Sequence, residues 1–329
     1  MKRVVVTQKI YDGAMDQLQK AGFEVHYHES DQPWEPDELQ TAVVDADGIV
    51  CLLTDKITAE VMNAAPNLKV IANVAVGYDN IDLSAATERG IIVTNTPDVL
   101  TETTADLALA LILALARRIP EADAYMRAGK YQRFELFPQM VGTDVHGKTL
   151  GVVGLGRIGT AVARRAALGF NMRVLYTANQ VKETAEQELG AQKVSFTTLL
   201  RESDFISINT PLTPETRHLF TLNEFKQMKP TAYIVNTARG PIIKEVDLVQ
   251  ALANGLIRGA ALDVFEKEPE MHPGLAQFTD RLIVVPHVGS ATIETRQQMA
   301  LLATKNAVAA LTGHQPPNAV NPQVLKSET

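Results

Sequence analysis

The sequence predicts an α/β protein made of two doubly wound, parallel-sheet domains. Three observations carry this expectation. Short, continuously apolar runs alternate with helical patterns along most of the 329 residues. Strands covered on both faces by crossover helices read this way. At roughly 150 residues per domain, the length suggests two domains. A glycine-rich turn, Gly154-Leu155-Gly156-Arg157-Ile158-Gly159, stands between one such run and the helical pattern after it.

In the first half, Val4-Val5-Val6, Gly48-Ile49-Val50 and Lys69-Val70-Ile71-Ala72 read as strands. Ile91-Ile92-Val93-Thr94 follows once Arg89-Gly90 has closed a helix. A long helix is then expected over residues 101–118, capped by Thr101. It carries Glu102 in its first turn, where the helix dipole favours negative charge. The second half repeats the pattern with Leu150-Gly151-Val152-Val153, Val174-Leu175-Tyr176, Phe205-Ile206-Ser207-Ile208 and Ala232-Tyr233-Ile234-Val235. Gly259-Ala260-Ala261-Leu262 and Leu282-Ile283-Val284-Val285 complete it. A last helix is expected over residues 293–311, followed by a tail rich in proline and asparagine. That helix is expected to return to the first module, making the first domain discontinuous in sequence.

Composition narrows the function classes. With 46% hydrophobic and 21% charged residues, the chain is not mainly disordered. Its formal net charge is −7. An acidic surface repels phosphate backbones and anionic lipid, so neither nucleic acid nor a membrane is expected as a partner. The most apolar helical stretch, residues 107–116, is short of the roughly 20 residues that span a bilayer. The apolar run behind Lys2 and Arg3 is broken at Gln8 and Lys9, too soon for a signal peptide. Cys51 is the single cysteine, which excludes an internal disulfide and a thiolate zinc site. No histidine or cysteine cluster calls for a metal. The cytoplasm is the expected compartment.

The order strand, G-x-G-x-x-G, helix is the one a dinucleotide pyrophosphate requires. Gly154 permits the tight turn, Gly156 lets the backbone approach the phosphates, and Gly159 lets helix and strand pack closely. The helix N-terminus then offers free N–H groups. A plain glycine cluster between strand and helix is the bland alternative. About 20 positions further on, a carboxylate commonly grips the ribose hydroxyls. Here the segment reads Tyr176-Thr177-Ala178-Asn179-Gln180. Without an acid, a 2′-phosphate is not repelled, and Thr177, Asn179 and Lys182 offer donors. The expected cofactor is therefore NADP(H) or NAD(H). A solvated loop that selects neither is the alternative.

Three polar residues follow strands of the second module: Arg239, Glu268 and His287. Strand C-termini of a parallel sheet face one crevice, where ligands bind. Reduction of a 2-keto acid needs a cation for the carboxylate and a proton donor for the carbonyl oxygen. Arg239 offers a planar fork for the carboxylate. His287 can give a proton near neutral pH and recover it in the reverse direction. Glu268 could orient the imidazole and favour its charged form. Taken singly, each has a bland alternative: a surface arginine, a turn glutamate, a structural histidine. Asp263, at a strand end, could accept from a nicotinamide carboxamide or merely cap a turn. Backbone N–H groups at Val76 and Gly77 could hold a carboxylate, or form an ordinary turn before the helix at Asp82.

The whole pattern resembles the D-isomer-specific 2-hydroxyacid dehydrogenases, and among them the bacterial glyoxylate/hydroxypyruvate reductases, also called 2-ketogluconate reductases. The similarity runs nearly end to end. Val76-Gly77-Tyr78-Asp79-Asn80, Leu100-Thr101-Glu102-Thr103 and Gly142-Thr143-Asp144-Val145-His146 carry it, with the glycine turn and residues 236–240, 262–269 and 286–291. The resemblance implies a flavodoxin-like substrate domain of residues 1–99 with 290–329. It implies a Rossmann-like cofactor domain of residues 100–289, and an active site in the cleft between the two. The implied reaction is reduction of glyoxylate, hydroxypyruvate or 2-ketogluconate by NAD(P)H, with Arg239, Glu268 and His287 as the catalytic set. Implied cofactor contacts are Thr104, Gly154, Gly156, Arg157, Ile158, Gly159, Thr177, Ala178, Asn179, Pro211, Thr237, Ala238, Asp263 and Gly289. Leu53, Val76, Gly77 and Arg239 would bind substrate, with Phe134 and Phe137 also shaping the pocket. A homodimer through the cofactor domains is implied, with the long helix at its interface. One departure stands out: similar reductases often carry arginine after Tyr176, where Asn179 and Gln180 stand here. Phosphite dehydrogenase shares the scaffold. Formate dehydrogenase fits less well, because it pairs its histidine with glutamine. A non-catalytic NAD(H)-sensing protein is the alternative of a different class.

Overall fold

The computed structural model describes residues 1–136 and 140–326. The chain divides into two compact units, Met1–Leu100 with Thr292–Thr329, and Thr101–Ala291. The first holds strands β1 (Arg3–Val6), β2 (Glu24–Tyr27), β3 (Gly48–Cys51), β4 (Val70–Asn73) and β5 (Ile92–Thr94). All pair in parallel, in the order β2-β1-β3-β4-β5. The register aligns Val5, Ile49, Ile71 and Val93 across the sheet. This row packs with Leu39, Val61 and Ala86 from helices Pro36–Ala42, Ala59–Ala64 and Leu83–Glu88. Side chains alternate faces along a strand, so Gly48, Val50, Val70 and Ala72 look the other way. There the helix Ile293–Leu311 lies, with Leu311 against Gly48.

Polar bonds fix the returning segment. Thr304 Oγ1 donates to Gln17 Oε1 at 2.8 Å, and Lys2 Nζ donates to the Leu311 carbonyl. Asn321 accepts the Val93 N–H at 2.8 Å and donates to the Ile91 carbonyl at 2.9 Å. The tail thereby occupies the open edge of β5, which would otherwise be a template for another chain.

The second unit holds β6 (Thr149–Val153), β7 (Arg173–Thr177), β8 (Gln192–Lys193), β9 (Phe205–Ile208), β10 (Tyr233–Asn236), β11 (Gly259–Leu262) and β12 (Leu282–Val284). Their order is β12-β11-β10-β9-β6-β7-β8, again parallel. The winding reverses between β6 and β9, and ligands bind beyond the C-terminal strand ends at such a point. On one face Val152, Tyr176, Val235 and Ala261 pack under the helices Thr101–Ala116 and Arg157–Arg164. On the other, Ile206, Ile234 and Leu262 meet the helices Phe196–Glu202 and Glu245–Ala253.

The long helix expected over residues 101–118 is present as Thr101–Ala116, and three details differ. Thr101 is the first residue of Thr101–Ala116 rather than its cap. Arg118 then takes a left-handed φ of 52°, and Pro120 opens the helix Ile119–Arg127. Buried Thr104, Ala105, Ala108, Leu111, Ile112 and Leu115 recur every three or four residues, the stripe of a helix roofing a sheet. Strands β2 and β8 have no apolar run to announce them. β2 is an edge strand with mixed composition, and β8 is two exposed residues. Among the described residues, no helix is long and apolar enough to cross a membrane.

Candidate active site

The glycine turn follows β6. Gly154 has a φ of 92°, and a side-chain carbon there would lie 2.9 Å from the Thr210 backbone, so only glycine fits. A carbon on Gly159 would lie 2.2 Å from the Gly154 carbonyl, so helix Arg157–Arg164 sits directly on the turn. Gly156, by contrast, faces open space, with nothing within 4 Å of such a carbon. It is also the cap of that helix, whose first turn leaves N–H groups without helical partners. An anion fits this cradle. The Gly154 N–H donates to the Thr177 carbonyl at 3.0 Å. Thr177, Ala178 and Asn179 are thus tied beside the turn. Asn179 is exposed, and its carbonyl accepts Lys193 Nζ at 3.2 Å. Past the ends of β9 and β10, Asn209 Oδ1 and Thr237 Oγ1 are buried oxygens with no protein partner. Orphaned atoms of this kind call for a partner from outside the chain, and a dinucleotide carries the amide and hydroxyl groups to supply it. The residues therefore fit the expected cofactor. Asn209 had escaped notice because its signal is only a polar residue one step beyond an apolar strand.

Beyond β10, the buried Asn236 side chain accepts the Ala238 N–H at 3.0 Å and donates to the Arg239 carbonyl at 2.9 Å. The turn that carries Arg239 is therefore preset. Arg239 Nη1 donates to the Ala238 carbonyl at 2.8 Å. Beyond β11, the buried Asp263 carboxylate accepts the Val288 and Gly289 N–H groups at 2.6 and 2.9 Å. Its backbone carbonyl accepts the His287 N–H at 2.9 Å. These bonds hold His287 at a left-handed φ of 53°, which costs a residue of this kind on the order of 1–3 kcal/mol. Thr104 joins the cluster: a carbon on Gly289 would lie 3.0 Å from Asp263 Oδ2 and 3.4 Å from Thr104 Cγ2.

His287 Nδ1 lies 2.8 Å from Glu268 Oε2, while Glu268 Oε1 accepts the Phe265 N–H at 3.1 Å. An ionised carboxylate only accepts, so Nδ1 carries the ring proton. Nε2 is left to exchange a proton with a ligand. Burial pushes the Glu268 carboxyl up. The His287 hydrogen bond and charge, the Phe265 N–H and the Arg239 charge outweigh it, and the group titrates below the usual glutamate value. Asp263 shifts the other way, raised by burial against the Val288 N–H and the His287 charge. Arg239, Glu268 and His287 are thus brought together within one unit. Of the remaining cofactor candidates, Arg157 is exposed and Ile158 half-buried at the start of their helix. Pro211 is exposed, with its carbonyl accepting Thr216 Oγ1 at 2.7 Å.

In the first unit, Leu53 lies in the loop after β3, and Val76 and Gly77 in the turn after β4. A buried hub that the sequence reading missed holds both. Asp55 accepts Thr7 Oγ1 at 2.5 Å, the Leu52 N–H at 2.7 Å and Gln8 Nε2 at 3.0 Å. Asn80 Nδ2 donates to the Leu52 and Asp55 carbonyls, both at 3.0 Å. Asn73 Nδ2 donates to the Gly77 carbonyl and Asn95 Nδ2 to the Val76 carbonyl, each at 2.8 Å. The available signal was again a short polar residue just past an apolar run. Cys51 is fully buried, 3.6 Å from Asn73 Oδ1, and burial pushes its thiol up. It is a packing residue. Phe134, expected at the pocket, is 80% exposed, and Phe137 lies outside the described residues.

Comparison with known proteins finds likenesses over most of the chain. Residues 109–289 match the family described as D-isomer specific 2-hydroxyacid dehydrogenase, NAD binding domain. A glyoxylate reductase of Thermococcus litoralis is 47% identical over 328 residues, covering 99% of this chain and 98% of its own. The crystal structure of a glyoxylate reductase from Paecilomyes thermophila superposes with a TM-score of 0.87 at 32% identity, covering 98% of this chain and 99% of its own. An NADPH-dependent glyoxylate/hydroxypyruvate reductase from Sinorhizobium meliloti was solved in complex with NADP and malonate. It superposes with a TM-score of 0.85 at 34% identity, covering 97% of this chain and 96% of its own.

Proposed function

The chain belongs to the D-isomer-specific 2-hydroxyacid dehydrogenases, and we propose that it reduces a small 2-keto acid to the D-2-hydroxy acid with NADPH or NADH. Glyoxylate, hydroxypyruvate and 2-ketogluconate are the candidate substrates. The observation that carries the proposal is the 2.8 Å His287–Glu268 pair under the charge of Arg239. A bound nicotinamide supplies the hydride. The Arg239 guanidinium holds the substrate carboxylate and draws on its carbonyl oxygen. His287 Nε2 gives that oxygen its proton as negative charge develops, and takes it back in the reverse direction. Glu268 steadies the charged imidazole. The N–H groups of Val76 and Gly77 are assigned to the carboxylate, and Leu53 to the other end of the substrate. Oxidation of NADPH and of NADH with glyoxylate, hydroxypyruvate, 2-ketogluconate and pyruvate tests the proposal. Cofactor binding without turnover of any keto acid sinks it.

Cofactor choice is assigned to the turn after β7, where Asn179 is exposed and residues 177–182 include no acid. Asn179→Arg is expected to tighten NADPH relative to NADH by about 1.5–3 kcal/mol at most, the span of a hydrogen bond to a charged group. The ratio of the two dissociation constants measures it. An unchanged ratio means the ribose phosphate does not lie beside this turn.

A homodimer belongs to the same proposal. The helix Ile119–Arg127 buries none of its residues. Ile119, Met126, Tyr131, Phe134, Leu136 and Val141 are exposed large apolar groups near this helix in sequence. Apolar surface of this extent marks an interaction site, and we assign it to a second copy of the chain. Sedimentation velocity is expected to show a dimer, and Met126→Glu with Leu136→Glu to yield monomers. A monomeric wild type overturns the assignment.

A further inference from the structure

Beside Glu268 lies a second histidine–glutamate pair with no part in the proposed reaction. His218 Nε2 is 2.7 Å from Glu266 Oε1. The other Glu266 oxygen accepts the Glu245 N–H at 2.7 Å, and Glu245 Oε1 accepts the Glu266 N–H at 2.6 Å. Glu245 Oε2 accepts the His272 N–H at 2.8 Å. Each of the two carboxylates therefore holds the other's backbone.

The segments so joined are the ones that carry the site. Glu245 opens the helix Glu245–Ala253 that follows the Arg239 turn. Glu266 stands two positions before Glu268. His218 comes from the loop after β9, where its N–H donates to the Pro241 carbonyl at 2.8 Å and the Phe220 N–H to the Ile242 carbonyl at 3.0 Å. The Arg239 and Glu268 segments are in direct contact. A side-chain carbon on Gly240 would lie only 1.9 Å from the Phe265 carbonyl. Carboxylates are costly to withdraw from water, and apolar contacts would stabilise such a junction as well. What ionised groups add is direction, since each bond fixes one backbone atom against another.

We propose that the Glu245–Glu266–His218 clasp is a positioning device for the reaction. It sets the spacing between Arg239 and Glu268 and, through Glu268, the orientation of the His287 ring. The inference rests on His287 being the acid/base group. Glu268 stands among the charges of His287, Arg239 and Asp263. If its carboxylate drifts from His287 and the Phe265 N–H, its protonation moves up toward the ordinary glutamate range.

Glu266→Ala, Glu266→Gln and His218→Gln test this through kcat, KM, the pH profile, NADPH affinity and the melting temperature. Glu266→Ala is expected to lower kcat/KM by about tenfold to a hundredfold, the effect of losing one or two charge-assisted hydrogen bonds. It should also move the acid limb of the profile to higher pH with NADPH affinity unchanged. Glu266→Gln, which keeps an acceptor oxygen, restores most of the loss. If Glu266→Ala does not fold, His218→Gln, on a half-exposed ring, is expected to move the same limb by a smaller amount. A lower melting temperature with a wild-type KM and acid limb overturns the proposal, as does unchanged catalysis in all three variants. If the wild type turns over no keto acid, the assignment of function fails on its own. The His287 imidazole resonances of wild type and Glu266→Ala then decide the clasp. Displaced ring signals support it, and coincident signals overturn it.

Discussion

His287→Ala is expected to lower the kcat of keto-acid reduction by about 10²–10⁴-fold, the usual contribution of a positioned acid or base, and to leave NADPH affinity intact. The ring is fixed on both sides. Nδ1 is held by Glu268 at 2.8 Å, and the backbone is held by the Asp263 carbonyl at 2.9 Å. No bond ties it to the glycine cradle, so chemistry and cofactor binding separate. Alanine also sits poorly at a φ of 53°, whereas asparagine tolerates that region. His287→Asn should therefore keep the turn and lose the proton transfer alone. Steady-state kinetics beside fluorescence titration of NADPH separates the two effects, and equal loss of both counts against the acid/base role. The pH dependence has a definite sign. Glu268 titrates below its ordinary value, so its contribution to activity and stability is fully present above that ordinary value. It is lost as pH falls through the lowered one. The wild-type rate is expected to keep its plateau through the ordinary glutamate range and fall only below it.

Arg239→Lys is expected to raise KM for the keto acid and to lower kcat/KM by about 10²-fold, with a larger loss for Arg239→Ala, on the scale of removing a donor from a developing oxyanion. Lysine keeps the charge but loses the planar fork, so it cannot grip a carboxylate and a carbonyl oxygen together. The Arg239 backbone carbonyl is set by Asn236 rather than by its own side chain, so the turn survives either change. Kinetics with glyoxylate at several concentrations reads the split between KM and kcat. A KM unchanged in both variants means that Arg239 does not bind the substrate carboxylate.

What was legible in the sequence follows from how each feature is encoded. The central strands are buried on both faces, so each is a continuous apolar run; with the apolar edge strands β5 and β12, ten of the twelve strands among the described residues were read directly. Edge strands have no such constraint. Glu24-Val25-His26-Tyr27 pairs on one side only, and Gln192-Lys193 on one side and almost in water. The glycine turn was legible because steric demands at Gly154 and Gly159 leave one residue type. Arg239, Glu268 and His287 were legible because they follow strands that must end on one side of a parallel sheet. The braces were not. Asp55, Asn73 and Asn236 act through bonds to backbone atoms a few positions away, and Glu266 through the N–H of Glu245 in another segment; a backbone N–H or carbonyl carries no residue code. The long helix was read to end near Arg118, where the left-handed residue stands, but the short exposed helix Ile119–Arg127 after it has no buried apolar stripe to announce it.

The helix Ile293–Leu311 covers one face of the first sheet, yet it is made after the whole of the second unit. Translation at about 5–20 residues per second would take on the order of ten to forty seconds to cross that interval. During it, the face bearing Val50, Val70 and Ala72 lacks this helix, and the open edge of β5 has no tail upon it. The unit that emerges first is thus the last to be finished. While it waits, the nascent chain presents a sticky sheet to whatever chaperone attends the ribosome.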